Sequence, residues 1–204
     1  MADDAALLGA WRGGDRSAGD ELLRRHFATI GRFFRSKLGD DVEDLVQQTF
    51  ADAVRARDSV PSAGFRAYLL GIACNRLFDH LRRRVRDDGV FDPTTMSVVD
   101  LGTSVSQRIA RQQDEVLMLT ALRQLPVDFQ IVLELAYWEE LPGAEIATIL
   151  GISPHTVRSR LARARVALRE RLLNSSADPE LVRQSVAKLE RNALAEDDEP
   201  AQGR

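Results

Sequence analysis

Arginine side chains are concentrated in residues 158–171, which contain six arginines and a single acidic side chain. The planar fork of an arginine suits bidentate contacts with phosphate and guanine. Just upstream, Gly151 can adopt a left-handed turn conformation, Ser153 can cap a helix and Pro154 can begin one. This order predicts a helix over about 143–150, a tight turn, and a second helix from Pro154 onward, which is a helix-turn-helix.

The second of these helices has two contrasting sides. Apolar residues recur at helical spacing and mark its buried side: Val157, Leu161, Ala164 and Leu168. The opposite side carries short donors and arginines, as a recognition helix does in the major groove: His155, Arg158, Ser159, Arg160 and Arg163. An amphipathic helix with a solvated basic side is the alternative. The glycine turn, the Ser-Pro start and the apolar spacing agree, and together they favour DNA binding.

The bulk composition excludes several other classes of protein. The 204 residues suffice for two small domains or one larger one, and 44% of them are hydrophobic, which allows a core. No apolar run approaches the length of a membrane span. The single cysteine, Cys74, cannot form an intramolecular disulfide or a cysteine zinc cluster. The N-terminus lacks a signal-peptide pattern, so we expect a cytoplasmic protein without membrane insertion.

The net charge of −3 is unusual for a DNA-binding protein, but its distribution accounts for it. Residues 175–204 carry seven acidic and four basic side chains, which leaves the rest of the chain balanced. Because the local field governs attraction to phosphate, the recognition segment can be basic within an acidic protein.

Signals of catalysis are absent from the sequence. It contains neither a phosphate-binding P-loop nor a dinucleotide-binding glycine motif. The three histidines, His26, His80 and His155, fall in different predicted helices without metal-ligand spacing. We therefore expect no catalytic residue, no metal site and no cofactor, and an enzyme is a minor interpretation.

Helical periodicity without strand-like alternation runs through the rest of the chain and predicts an all-α protein. Gly- and Pro-containing breaks divide it into a helical domain over 1–88, a flexible linker over 89–111, a second helical domain over 112–174 with the helix-turn-helix, and an extension over 175–204. In the first domain, the helix over about 18–37 should bury its apolar side: Leu22, Leu23, Phe27, Ile30 and Phe34.

Two further helices of the first domain have faces that fit binding partners. The helix over about 42–57 has a flat face of short or neutral side chains, including Asp44, Gln47 and Gln48, which fits docking of another protein. The helix over about 65–84 interleaves an aromatic and an amide with arginines, which fits single-stranded nucleic acid: Tyr68, Asn75, Arg76, Asp79, Arg82 and Arg83. Ordinary solvated faces are the alternative for both helices.

The C-terminal extension is predicted to contain one helix, from Pro179 to about Ala195, before an acidic disordered end. Ser176 is its candidate cap. The apolar stripe of the helix predicts docking on one of the two domains, and a solvated appendage is the alternative.

Two separated stretches together resemble one family. Residues 41–50, DVEDLVQQTF, and 65–84, FRAYLLGIACNRLFDHLRRR, resemble region 2 of bacterial RNA polymerase sigma factors of the extracytoplasmic-function (ECF) group. Residues 125–165, which include EIA at 145–147 and TVRSR at 156–160, resemble region 4. The two stretches occur in the order of the family with a linker between them.

The resemblance implies a sigma factor that binds core RNA polymerase and directs it to specific promoters. Region 2 would dock on the clamp helices of the β′ subunit and open the minus-ten element, and region 4 would read the minus-thirty-five element and contact the β flap. The docking motif matches Asp44, Leu45, Gln47 and Gln48. The strand-capturing helix matches Tyr68, Asn75, Arg76, Asp79, Arg82 and Arg83. The minus-thirty-five contacts match His155, Thr156, Arg158, Ser159, Arg160, Arg163 and Arg165. An anti-sigma factor is a further candidate partner.

Two other classes of protein compete with this interpretation. A helix-turn-helix transcriptional activator that is not a sigma subunit would not need the two stretches at 44–50 and 65–84. A nucleic-acid-processing enzyme would need clustered carboxylates. Copurification with core RNA polymerase discriminates among the three.

Overall fold

The structure, a computed structural model, describes residues 3–60, 64–85, 90–102 and 113–197. Within these ranges the chain is all-α, as predicted. It forms α1 (Asp4–Arg12), α2 (Arg16–Leu38), α3 (Glu43–Arg55), a 3-10 turn (Arg57–Ser59), α4 (Phe65–Arg84), α5 (Gln113–Arg123), α6 (Val127–Tyr137), α7 (Gly143–Leu150), α8 (Pro154–Leu173) and α9 (Pro179–Asp197). The predicted disordered end after residue 197 and linker residues 103–111 lie outside the described ranges.

Helices α1 to α4 pack into a first bundle around large apolar side chains. Leu22, Ile30 and Phe34 of α2 are fully buried, as predicted. The prediction was wrong for Phe27, which is 57% exposed and stacks on Phe50 of α3 with ring centroids 5.8 Å apart. The apolar stripe of α2 is wider than the surface that its neighbours cover, so its edge remains in solvent.

Helices α5 to α8 form a second bundle that contains the predicted helix-turn-helix. Gly151 has a φ of 64°, and its N–H donates hydrogen bonds to the carbonyls of Ala147 and Thr148 at the end of α7. The Ser153 hydroxyl accepts a hydrogen bond from the N–H of Thr156 at 3.0 Å, and Pro154 begins α8. The predicted inner side of α8 is buried throughout: Val157, Leu161, Ala164 and Leu168.

Residues 90–102, the described part of the predicted linker, contact both bundles. The carbonyls of Pro93 and Met96 accept hydrogen bonds from the N–H groups of Asp128 and Val127, at 3.0 and 2.9 Å. The ring of Phe91 lies against that of Phe78 in α4, with centroids 6.3 Å apart. Backbone hydrogen bonds therefore hold this part of the predicted flexible linker in place. Amino-acid composition does not predict such bonds.

Helix α9 packs against α5 and α8 of the second bundle. Its inner stripe is buried: Val182, Val186 and Leu189. The predicted cap was wrong, because Asp178 caps the helix by accepting a hydrogen bond from the N–H of Glu180 at 2.8 Å. Asp178 directly precedes Pro179, the first helical residue, and so occupies the cap position.

We expect Leu189→Ala to loosen α9 from the second bundle. Leu189 is 5% exposed, and truncating a buried leucine costs about 2–5 kcal/mol. The melting temperature should fall, and limited proteolysis should cleave the chain more readily around residues 174–178. Lys188→Ala, at the neighbouring exposed position, is the matched control. Equal protease resistance in the two variants would mean that the stripe does not hold α9 in place.

Candidate DNA and polymerase interfaces

The predicted base-reading residues lie along the outer side of α8. Three of them are exposed: His155, Arg158 and Arg163. The others are half-buried: Thr156, Ser159, Arg160 and Arg165. Arg158 and Arg163 are therefore the arginines best placed to reach base edges from this helix.

Arg163 is partly ordered by contacts within the protein. Its guanidinium lies 5.8 Å from the centroid of the Phe129 ring, and its Nε donates to the Ser159 carbonyl at 3.4 Å. A cation–π contact at an exposed site contributes about 0.5–1 kcal/mol. Because the side chain is already restricted, less conformational entropy is lost when it binds DNA.

Arg160 has a partner inside the second bundle. Its Nη1 lies 2.7 Å from Oδ2 of Asp128 in α6, and both side chains are largely buried. Burial raises the pKa of Asp128, and Arg160 opposes that shift. This pair ties α8 to α6, so the predicted phosphate contact of Arg160 would compete with a structural role. No sequence pattern predicted this pair, because an aspartate in the first turn of a helix is common.

The predicted strand-capturing residues lie on α4. Asn75, Asp79, Arg82 and Arg83 are exposed, and Tyr68 and Arg76 are half-buried. The Arg76 Nε donates to Asp52 of α3 at 2.7 Å and so braces α4 against α3. Partial burial would raise the pKa of Asp52, but hydrogen bonds from Arg55 and Arg76 hold it below its usual value. Tyr68 and Asn75 are then the candidates for holding a base.

The predicted docking motif lies on α3. Asp44, Gln47 and Gln48 are exposed and form one face. Leu45, also part of the predicted motif, is only 9% exposed and lies beneath this face. The reason is geometric, since each successive residue of a helix turns about 100° around the axis.

A cleft of about 220 Å³ joins the docking motif to the strand-capturing helix. Its lining includes Asp44 and Gln48 from α3 and Asp79, His80 and Arg83 from α4. Burial, together with Arg84 and Arg83, lowers the pKa of His80, which favours the neutral form of its ring. Sequence reasoning did not place His80 in a site, because its spacing matches that of an ordinary polar position.

Other chemistry is not evident in the described part of the chain. No group of three or more histidine, cysteine, aspartate or glutamate side chains there is arranged to hold a metal ion. Burial raises the pKa of the Cys74 thiol to about 12, so it stays protonated and unreactive. None of the helices in these ranges is long and apolar enough to cross a membrane.

Two protein-family models match the chain. The model of sigma-70 region 2 matches residues 20–87, and the model of sigma-70 region 4 matches residues 115–168. The first match contains α3 and α4, and the second contains the helix-turn-helix.

Known ECF RNA polymerase sigma factors are similar to this chain over most of its length. The ECF RNA polymerase sigma factor SigM of Mycobacterium tuberculosis is 33% identical over 168 residues, which cover 81% of this chain and 82% of SigM. SigL of the same species is 33% identical over 155 residues, which cover 72% of this chain and 85% of SigL.

Two solved structures share the fold. CnrH in complex with the cytosolic domain of CnrY has a TM-score of 0.61 and 26% identity, covering 85% of this chain and 99% of CnrH. The sigma factor RpoE in complex with the anti-sigma factor NepR, from Bartonella quintana, has a TM-score of 0.59 and 27% identity, covering 76% of this chain and 97% of RpoE.

Proposed function

Because this chain belongs to the ECF group of RNA polymerase sigma factors, we propose that the exposed faces of its helices carry out promoter-directed initiation. The protein binds core RNA polymerase and directs it to specific promoters. The observation that carries this conclusion is the ordered pair of region 2 and region 4 in one chain. A helix-turn-helix activator is not favoured, because it would match region 4 without region 2.

The first bundle docks on polymerase and opens the promoter. The flat, exposed face of Asp44, Gln47 and Gln48 supports docking on the clamp helices of the β′ subunit. On α4, Tyr68 and Asn75 hold an unpaired base of the minus-ten element, and Arg82 and Arg83 lie exposed beside them to meet phosphates. The cleft between α3 and α4 supports this assignment, because it places the two functions side by side.

The second bundle reads the minus-thirty-five element and contacts the β flap. Exposed Arg158 and Arg163 reach bases in the major groove. His155 precedes this pair on α8, and Ser159 lies between its two members in the sequence. Contacts of Thr156 and Arg165 with the phosphate backbone of the DNA fix the register of the helix on DNA.

An anti-sigma factor is a further partner of this protein. RpoE is seen with the anti-sigma factor NepR and CnrH with the cytosolic domain of CnrY, and both resemble this chain. The protein acts in the cytoplasm, where core polymerase works. Polymerase supplies the catalysis, and the chain serves as an initiation factor.

Reconstitution tests the proposed function. The purified chain is mixed with core RNA polymerase, and the complex transcribes total genomic DNA of the source organism while the 5′ ends of the transcripts are mapped. We expect a stable complex and a small set of start sites that share upstream elements near −35 and −10. Core polymerase alone is the control. No complex, or start sites no different from those of core polymerase, would contradict the function.

Arg158→Ala should weaken recognition of those promoters without affecting folding. Loss of a bidentate base contact costs about 1–3 kcal/mol and relaxes specificity at that base. Arg160→Ala is the informative comparison, because it removes the buried partner of Asp128 and should lower the melting temperature. Promoter affinity of the holoenzyme and thermal unfolding separate the two effects. Full affinity in Arg158→Ala would remove this residue from the reading role.

A further inference from the structure

Arg12, the last residue of α1, binds the backbone between α3 and α4. Its Nε donates a hydrogen bond to the carbonyl of Arg57 at 3.0 Å, and its Nη2 donates one to the carbonyl of Val60. These carbonyls lie at the start of the 3-10 turn and directly after its end. The guanidinium of Arg57 in turn lies 6.0 Å from the centroid of the Trp11 ring. A turn this short has little stability of its own, so contacts from α1 fix its position.

Helix α1 is packed closely on α2 and is therefore a firm support for this turn. The ring of Trp11 lies so near Gly19 that a Cβ added there would approach it to 2.6 Å. At the other end of α1, Oδ2 of Asp4 lies 2.6 Å from Nε2 of His26. Because both ends of α1 are anchored on α2, the first bundle determines where Arg12 lies.

The turn leads to the helix that is proposed to hold the unpaired base. Val60 is 3% exposed, and Phe65, the first residue of α4, is 1% exposed, so the connection is buried at both ends. Gly64 has a φ of 91°, and its carbonyl accepts a hydrogen bond from the N–H of Tyr68 at 2.9 Å. Gly64 occupies the cap position, where it lacks the side-chain oxygen of a serine or aspartate cap. The geometry at Tyr68 therefore depends on how the preceding turn is held.

A brace that serves folding alone is the alternative role for Arg12. The apolar core of the first bundle is complete without this side chain, since Leu22, Leu69 and Leu77 are fully buried and Arg12 is only half-buried. Loss of Arg12 frees two carbonyls of the turn and leaves no cavity in that core. The position of the turn is therefore affected more than the fold of the bundle.

We propose that Arg12 is a positioning residue for promoter opening. It fixes residues 57–60 and, through them, the start of α4, so that Tyr68 meets the unpaired base of the minus-ten element in one geometry. A side chain that is already in place loses less conformational entropy when it captures the base. This inference rests on the proposed function and adds a residue that precedes the match to region 2, which begins at residue 20.

Arg12→Ala should reduce promoter opening by roughly twofold to thirtyfold, the range for substitutions that act through other residues. Permanganate reactivity of unpaired thymines measures opening in the complex of the full chain with core polymerase. Gel shifts measure the closed complex, which should be unchanged because the docking face on α3 is intact. Arg12→Lys keeps the charge without the planar fork and should give intermediate opening. Arg16→Ala, at an exposed position of α2, is the matched control and should open promoters like the wild type.

A double-mutant cycle with Tyr68→Ala separates positioning from a general loss of stability. If Arg12 acts through Tyr68, Arg12→Ala should have little further effect on opening once Tyr68 has been replaced. Additive effects, a matching loss of the closed complex, or wild-type opening in Arg12→Ala would overturn the positioning role.

Thermal unfolding verifies that each variant is folded, and Arg12→Lys takes the place of Arg12→Ala in the cycle if the alanine variant unfolds. A wild-type chain that opens no promoter with core polymerase would count against the proposed function instead.

Discussion

Asp44→Arg should reduce the affinity of this protein for core RNA polymerase by at least about thirtyfold, since disrupting a central charged contact costs about 2–5 kcal/mol. Asp44 is exposed on α3 beside Gln47 and Gln48, so the reversed charge meets the partner directly. The variant should remain folded, because Asp44 is not part of the core. Fluorescence anisotropy of the labelled chain, titrated with core polymerase, measures the change.

The controls separate docking from folding and from net charge. Asp20→Arg makes the same charge change at an exposed site on α2 that no predicted interface contains. Asp44 also lies in the first turn of α3, where an acid favours the helix dipole by about 0.3–1 kcal/mol, so a small fall in melting temperature is expected. Gln47→Arg avoids this effect and should still weaken binding. Wild-type affinity in both docking variants would place the polymerase interface elsewhere.

Replacing both Tyr68 and Asn75 with alanine should block promoter opening after polymerase has bound. Stacking of a base on an aromatic ring contributes about 1–3 kcal/mol, and extracting the base from the duplex costs a few kcal/mol. Without these two side chains the open complex should fall by roughly tenfold to a hundredfold. Permanganate footprinting of unpaired thymines measures opening, and gel shifts measure the closed complex. Wild-type thymine reactivity in the double variant would contradict the assignment.

Two comparisons isolate the opening step. Tyr68→Phe keeps the ring and should retain most activity, which also tests whether half-buried Tyr68 acts through packing or through its hydroxyl. In a promoter with a mismatched bubble at the minus-ten element, the bases are already unpaired, so no free energy is needed to separate them. The double variant should therefore regain much of its activity on this template. Failure on the bubble template would indicate a folding or docking defect instead.

The helices and the helix-turn-helix could be predicted from the sequence because their determinants are local. Gly151, Ser153 and Pro154 specify a turn and a helix start through their own backbone preferences. Apolar residues at a spacing of three and four identify the inner side of α8, and all four predicted residues there are buried. The two family stretches could be recognised for the same reason, since each lies within one or two helices.

Contacts between distant parts of the chain were decided only by the tertiary structure. Lys37 and Glu134 are 97 residues apart, and Arg66 and Glu139 are 73 apart, so no local pattern links them. All four are ordinarily solvated surface charges, and Lys37, Glu134 and Glu139 become buried only because two bundles meet there. Phe27 shows the converse: its spacing predicted burial, but its contact with Phe50 of α3 leaves it 57% exposed. Periodicity shows which side of a helix is apolar, whereas the packing of other elements determines whether that side is buried and which charges are buried with it.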